Sequence, residues 1–151
     1  MEGICSLLDP KCILLDLNES NMQLIIDTLS NLLTQAFPLL ADKDLMEKAK
    51  QQGYHTTCLG FGCAITHARC PSMQKTLISA ARLSPAQDFK AMDGEPVTLI
   101  FLLVGPQSSA SFHLKILSRL ARLLHDASLR NELQKTTNPL DFHTLICEKE
   151  Q

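Results

Sequence analysis

The sequence predicts a layered α/β domain, a mixed β-sheet sandwiched by helices on both faces. Three observations carry this reading. Leu24, Ile25, Thr28, Leu29, Leu32 and Leu33 recur at three- and four-residue steps, the period of a helix with one apolar stripe. Val97 to Val104 is a near-continuous apolar run, as in a strand covered on both sides. The helical period then returns in Leu114, Leu117, Leu120, Ala121 and Leu124.

Taken in order, Leu7 to Asp16 mixes apolar residues with a proline and reads as a short strand or extended arm. Asn18, Glu19 and Ser20 offer N-cap chemistry to the first long helix, and Pro38 ends it. Asp42 can cap a second helix that runs to Gln52, with Gly53 as its stop. Thr57 to His67 is strand-like, with Gly60 and Gly62 permitting a sharp bend, and Thr76 to Leu83 is a further strand. Asp93-Gly94 is a turn signal before the apolar strand. Helices follow from Ser111 to His125, with Ser108, Ser109 and Ser111 as candidate caps, and from Ser128 to Lys135. A last helix opens on Asn138-Pro139, a cap followed by a first-turn proline, and runs to Cys147. No repeat or linker divides the chain, so residues 1–151 read as one domain.

Composition excludes several classes. Hydrophobic residues are 45% and charged residues 20%, the balance of a folded domain. A formal net charge of -2 gives no footing for nucleic acid. The most apolar stretch, Val97 to Gly105, is about half of what a membrane-spanning helix needs, so no direct membrane insertion is expected. Glu2, Asp9, Lys11, Asp16 and Glu19 exclude a signal-peptide core, which points to the cytoplasm. Six cysteines (Cys5, Cys12, Cys58, Cys63, Cys70 and Cys147) form no CxxC, and in that compartment free buried thiols are the expectation.

Five histidines are candidates for chemistry. His55, His125 and His143 read as ordinary surface or core residues. His67 follows Gly60-Phe61-Gly62-Cys63-Ala64-Ile65-Thr66, where glycines allow a close turn and the small apolar run delivers an imidazole to the end of a strand. His113 stands at the start of the helix after the apolar strand, where unpaired N–H groups and the helix dipole favour an anion. Either feature alone is weak. Cys58, Cys63, His67 and Cys70 offer four metal-ligand types within a short stretch, but their spacing is not that of a familiar zinc site. Strand alternation would also turn Cys63 and Cys70 to opposite faces. No metal and no cofactor is expected.

The run Gly60 to His67 resembles the G-x-G-x-A-x-P-H signature of the IIA domains of the bacterial phosphotransferase system, fructose/mannitol type. The segments Asp93 to Leu103, His113 to Leu117 and Ala121 to Leu124 resemble the family's second hallmark, a turn, a core strand and a helix with an early histidine. The resemblance implies a mixed sheet between helix layers. It also implies a histidine, here His67, that accepts a phosphoryl group from an HPr-type phosphocarrier protein and passes it to a IIB domain or signals through its phosphorylation state. His113 is the implied supporting donor. With no IIB or IIC segment in the chain, the resemblance favours the nitrogen-regulatory branch.

Departures from the family pattern are specific. Gln51-Gln52 stands where the family usually has Arg-Glu, Thr66 where it has proline, and Cys58 where it commonly has glycine. Gln51, Thr66, Lys48 and Arg69 are therefore the candidate supports of the phosphate site. Lys48 shares a helix face with Gln51, and Arg69 shares a strand face with His67. A glutamine lacks the charge and planar fork of arginine, so the alternative is a binding-only regulatory module of the same fold.

Overall fold

The computed structural model describes residues 2–151. The elements run α1 (Ile4–Leu7), β1 (Leu8–Leu17), α2 (Met22–Ala36), α3 (Lys43–Gln52), β2 (His55–Gly60), β3 (Cys63–Cys70), β4 (Leu77–Gln87), β5 (Val97–Pro106), α4 (Ala110–Leu124), α5 (Ala127–Lys135) and α6 (Pro139–Glu150). The five strands form one sheet in the order β1-β4-β5-β3-β2. Pairing is parallel for β1 with β4 and for β3 with β5, and antiparallel for β4 with β5 and for β2 with β3. The sheet is thus mixed, with helices on both faces.

The apolar strand is at the centre. Leu99, Phe101 and Leu103 of β5 join a core with Ile65, Ile116 and Phe142, while Ile100, Leu102 and Val104 join a second core with Ile25, Leu29 and Ala64. Alternate side chains of one strand feed two cores, which is why its sequence reads as continuously apolar. One face is covered by α1, α4, α5 and α6 and the other by α2 and α3. Among the described residues no helix is long and apolar enough to cross a membrane.

Local signals set most helix ends. Asp42 caps α3 by accepting from the Leu45 N–H at 2.8 Å, and Gly53 ends it at a φ of 96°. Asn138 caps α6, accepting from Asp141 N–H at 2.9 Å, with Pro139 in the first turn. Three expectations are corrected. Asn21, not Asn18 to Ser20, caps α2 by accepting from Leu24 N–H, and Glu19 instead accepts from the N–H groups of Ser20 and Asn21. Asp126 caps α5. The region 57–67 is two strands, because the glycines bend it into a hairpin: Gly60, Phe61 and Gly62 all have positive φ, of 87°, 57° and 80°. Asp93 holds this turn by accepting from Phe61 N–H at 2.8 Å, and those backbone donors keep its carboxyl below the ordinary range. A Cβ on Gly62 would come within 3.2 Å of the Pro96 carbonyl, so the close approach requires glycine.

One buried cation ties helix to sheet. Arg82 of β4 donates to the carbonyls of Leu133, Gln134 and Thr136 and to Thr136 Oγ1, and its other nitrogen pairs with Asp16 at 3.0 Å. It satisfies carbonyls left open where α5 ends.

The free-thiol expectation holds for Cys12, Cys58, Cys63 and Cys70 and fails for the other two. Cys5 and Cys147 are joined in a disulfide across 142 residues of sequence. Packing of α1 against α6 brings them together, and no spacing rule reveals such a pair.

Candidate functional site

His67 lies in the fifth position of β3, within the strand and not at its end. Its side chain points to the face that carries Cys63 and Ile65. There α4 crosses the sheet. His113, in the first turns of α4, donates its backbone N–H to the Ser109 carbonyl at 2.9 Å. The residue is 3% exposed, and its ring reaches the strand, where His113 Nε2 and His67 Nδ1 share a hydrogen bond of 3.0 Å, with ring centroids 5.1 Å apart.

Both rings are driven toward the neutral form. Burial first, then the proximity of His67 and Arg69, lowers the His113 pKa to about 4. Burial, then His55 and Arg69, lowers that of His67 below the ordinary histidine value. Nδ1 of His113 is buried with no hydrogen-bond partner.

A third imidazole was missed by sequence reasoning. His55 sits opposite His67 in the β2–β3 register, with ring centroids 5.7 Å apart. The signal existed: once the glycines are read as a hairpin turn, counting back along β2 pairs residue 55 with residue 67. An open cleft beside His67 is lined by Gln52, Gly53, His55, Arg69 and Gln107. On its other side lies an apolar recess formed by Leu59, Ile65, Leu114 and Leu117, and Leu114 is 67% exposed.

The expected supports fare differently. Arg69 lines the cleft, and its guanidinium donates to the Gln107 carbonyl at 3.4 Å. Gln52, at the end of α3, lines it where Gln51 was expected. Gln51 is exposed on α3 and lines neither recess that flanks His67. Lys48 is paired with Asp44 at 3.2 Å, one turn back along α3, and does not line the cleft. Thr66 is wholly buried on the opposite face of β3, where its Oγ1 meets Thr56 Oγ1 at 2.9 Å. Strand alternation puts it out of reach of anything bound to His67. The same alternation sends Cys63 to one core and Cys70 to the other, so those thiols do not converge with His67.

Residues 6–149 match the family model described as "Phosphoenolpyruvate-dependent sugar phosphotransferase system, EIIA 2". A nitrogen regulatory protein of Bradyrhizobium diazoefficiens is 38% identical over 92 residues, which is 61% of this chain and 60% of that protein. The matched part thus spans less than two thirds of that relative. The crystal structure of nitrogen regulatory protein IIA-Ntr from Neisseria meningitidis superposes with a TM-score of 0.80 at 27% identity, covering 95% of this chain and 98% of that one. In the complex of enzyme IIA and phosphorylated enzyme IIB for mannitol from Escherichia coli, the matching chain has a TM-score of 0.73 at 15% identity. It covers 94% of this chain and 99% of that one, a likeness of fold alone.

Proposed function

This chain belongs to the phosphoenolpyruvate-dependent sugar phosphotransferase system EIIA 2 family, and from that membership we propose that it is a regulatory histidine phosphocarrier that takes its phosphoryl group on Nε2 of His67. The carrying observation is the bond between His67 Nδ1 and His113 Nε2. It occupies one ring nitrogen and leaves the other as the nucleophile.

The tautomers follow from the product. An imidazole phosphorylated on Nε2 keeps its hydrogen on Nδ1, and His113 must then accept that hydrogen bond through the Nε2 lone pair. His113 is an acceptor in this scheme, not the donor that the sequence suggested. Its low pKa keeps it neutral and able to accept near pH 7. The hydrogen of His113 then sits on Nδ1, where it has no partner; such a group costs about 1–3 kcal/mol. With its Nδ1–H so held, His67 presents an Nε2 lone pair without giving up a proton.

In the transfer, the His67 Nε2 lone pair attacks phosphorus in line. A P–N bond forms as the bond from phosphorus to the donor carrier breaks, and the departing electron pair stays with the donor. Arg69 is the cation lining the cleft and offsets charge on the phosphoryl oxygens, with Gln52 and Gln107 as neutral neighbours. The donor is an HPr-type phosphocarrier protein. Onward partners are a IIB domain or a regulated protein, and the exposed Leu114 beside His67 suits such a protein contact. The relatives named as nitrogen regulatory proteins favour a signalling role over dedicated sugar uptake.

The test is to incubate the chain with enzyme I, an HPr-type carrier and phosphoenolpyruvate, and to map acid-labile phosphate. Label should appear on His67 and vanish in His67→Ala; full labelling of that variant refutes the assignment. A second reading, a binding-only module, is favoured by one observation, that the cleft holds neutral Gln52 where the family pattern supplies charge nearby. Under the phosphocarrier reading Gln52→Arg speeds labelling several-fold. Absence of label in both proteins selects the binding-only reading.

A further inference from the structure

A second constellation lies away from His67, where α1 meets α6. His143 and Cys147 are one turn apart on α6, and Cys5 of α1 packs against them. Ligand atoms from all three lie within 4.8 Å of one another, and all three residues are partly buried. We propose that, when the Cys5–Cys147 disulfide is reduced, Cys5, Cys147 and His143 form a binding site for one zinc ion.

Ligand spacing is the first argument. A tetrahedral zinc with Zn–S of about 2.3 Å and Zn–N of about 2.0 Å places nitrogen and sulfur about 3.6 Å apart and two sulfurs about 3.8 Å apart. Cys147 Sγ is 3.7 Å from His143 Nδ1, and ligand atoms of all three residues lie within 4.8 Å of one another. The Cys147–His143 edge is therefore already close to that of a zinc site. The two sulfurs must part, which reduction permits.

The second argument is how His143 is held. Its Nε2 lies 2.8 Å from the Cys5 carbonyl, which can only accept, so the ring hydrogen is on Nε2 and the lone pair on Nδ1. Metal-binding histidines are oriented in this way, with the far N–H given to a carbonyl or carboxylate.

The third is a rigid seat for the distant ligand. Glu150 accepts from the backbone N–H groups of Ile4 and Cys5 at 2.7 and 2.8 Å, which fixes Cys5 against α6. Gly3 lets that carboxylate approach: a Cβ there would lie 2.5 Å from Glu150 Oε2. An open cleft at the cysteines, lined also by Ser6 and Arg119, lets water enter as a fourth ligand. Of the other cysteines, Cys12, Cys63 and Cys70 are buried, and burial raises the thiol pKa of Cys12 to about 12 and of Cys63 to about 11.

The chemistry balances. A tertiary phosphine and water convert the disulfide to two thiols, and the phosphine becomes its oxide. Zinc then displaces the two thiol protons, which leave to solvent, and the neutral imidazole donates its lone pair unchanged.

The experiment uses the full chain. Reduced protein, freed of phosphine, is titrated with Zn²⁺ against a chromophoric chelator and separately with Co²⁺, and disulfide-intact protein is treated alike. The expected result is one equivalent of Zn²⁺ for reduced protein, none for oxidised, and thiolate-to-metal charge-transfer bands with Co²⁺. Cys5→Ser and Cys147→Ser should each abolish the bands, His143→Ala should weaken binding at least tenfold, and Cys58→Ser should change nothing. Equal binding by reduced and oxidised protein, no binding by reduced protein, or full affinity in Cys5→Ser or His143→Ala each overturns the proposal. Circular dichroism identifies any variant that fails to fold. The comparison of reduced with oxidised wild-type protein needs no variant. Phosphate labelling of His67 is read independently.

Discussion

His67 and Thr66 are neighbours in sequence and stand on opposite faces of β3. On one face His67 reaches out to α4 and shares a hydrogen bond with the buried ring of His113. On the other Thr66, fully buried, bonds only across the hairpin to Thr56. The first contact joins residues 46 apart in sequence and holds a titratable ring at an open cleft; the second joins paired strands and leaves Thr66 fully buried. One residue of register therefore separates a side chain at the cleft from one in the core, within a motif that a sequence pattern treats as a unit.

The comparison breaks hardest at His113. His113→Gln should slow phosphorylation of His67 by about 10- to 100-fold, the scale seen when a metal-binding histidine loses the partner that orients it. Rapid-quench labelling checks this, and a wild-type rate would mean that the ring pair has no part in transfer.

The pH response should be next in size. His113 titrates near 4 when folded and near 6.5 when unfolded. The unfolded chain therefore binds more protons between those values, and stability falls as pH drops through that window. The shift is worth about 3 kcal/mol at 1.36 kcal/mol per unit. Denaturant unfolding between pH 7 and pH 4 should show that loss, and in His113→Gln it should shrink by most of that amount. The slope with pH should be just as steep in Thr66→Val as in wild type.

The smallest effects belong to the silent positions. Thr66→Val should cost about 1 kcal/mol through the lost Thr56 bond and leave the labelling rate unchanged. Lys48→Ala, which removes only an exposed pair with Asp44, should change neither rate nor stability measurably. A clear fall in labelling for either would return that residue to the site.

What could be read from the sequence follows the range of the signal. The α3 boundaries were legible because Asp42 and Gly53 act within a turn of themselves. The central strand was legible because six apolar residues in a row, Leu99 to Val104, need two cores. The meeting of the His67 and His113 rings was legible through two motifs in the right order, and it follows from α4 crossing beside β3. His55 was hidden because its place opposite His67 depends on pairing register, which becomes visible only after the Gly60–Gly62 turn is placed. Thr66 was wrongly assigned because adjacency in a motif was weighed above alternation along a strand. Gln51 missed by one position, since which residue at the end of a helix overhangs a cleft depends on where the helix stops. The Cys5–Cys147 link left no trace in spacing, because only tertiary packing brings α1 to α6.

Arg82 has a consequence for how the molecule opens. A single planar cation rooted in β4 bonds the last carbonyls of α5 and the hydroxyl of Thr136, so the corner between α5 and α6 is fastened to the sheet from beneath. Helix ends ordinarily fray on their own. Here loosening the corner means pulling a guanidinium away from several acceptors at once, and amide exchange around Thr136 therefore follows the opening of the sheet edge that carries β1 and β4.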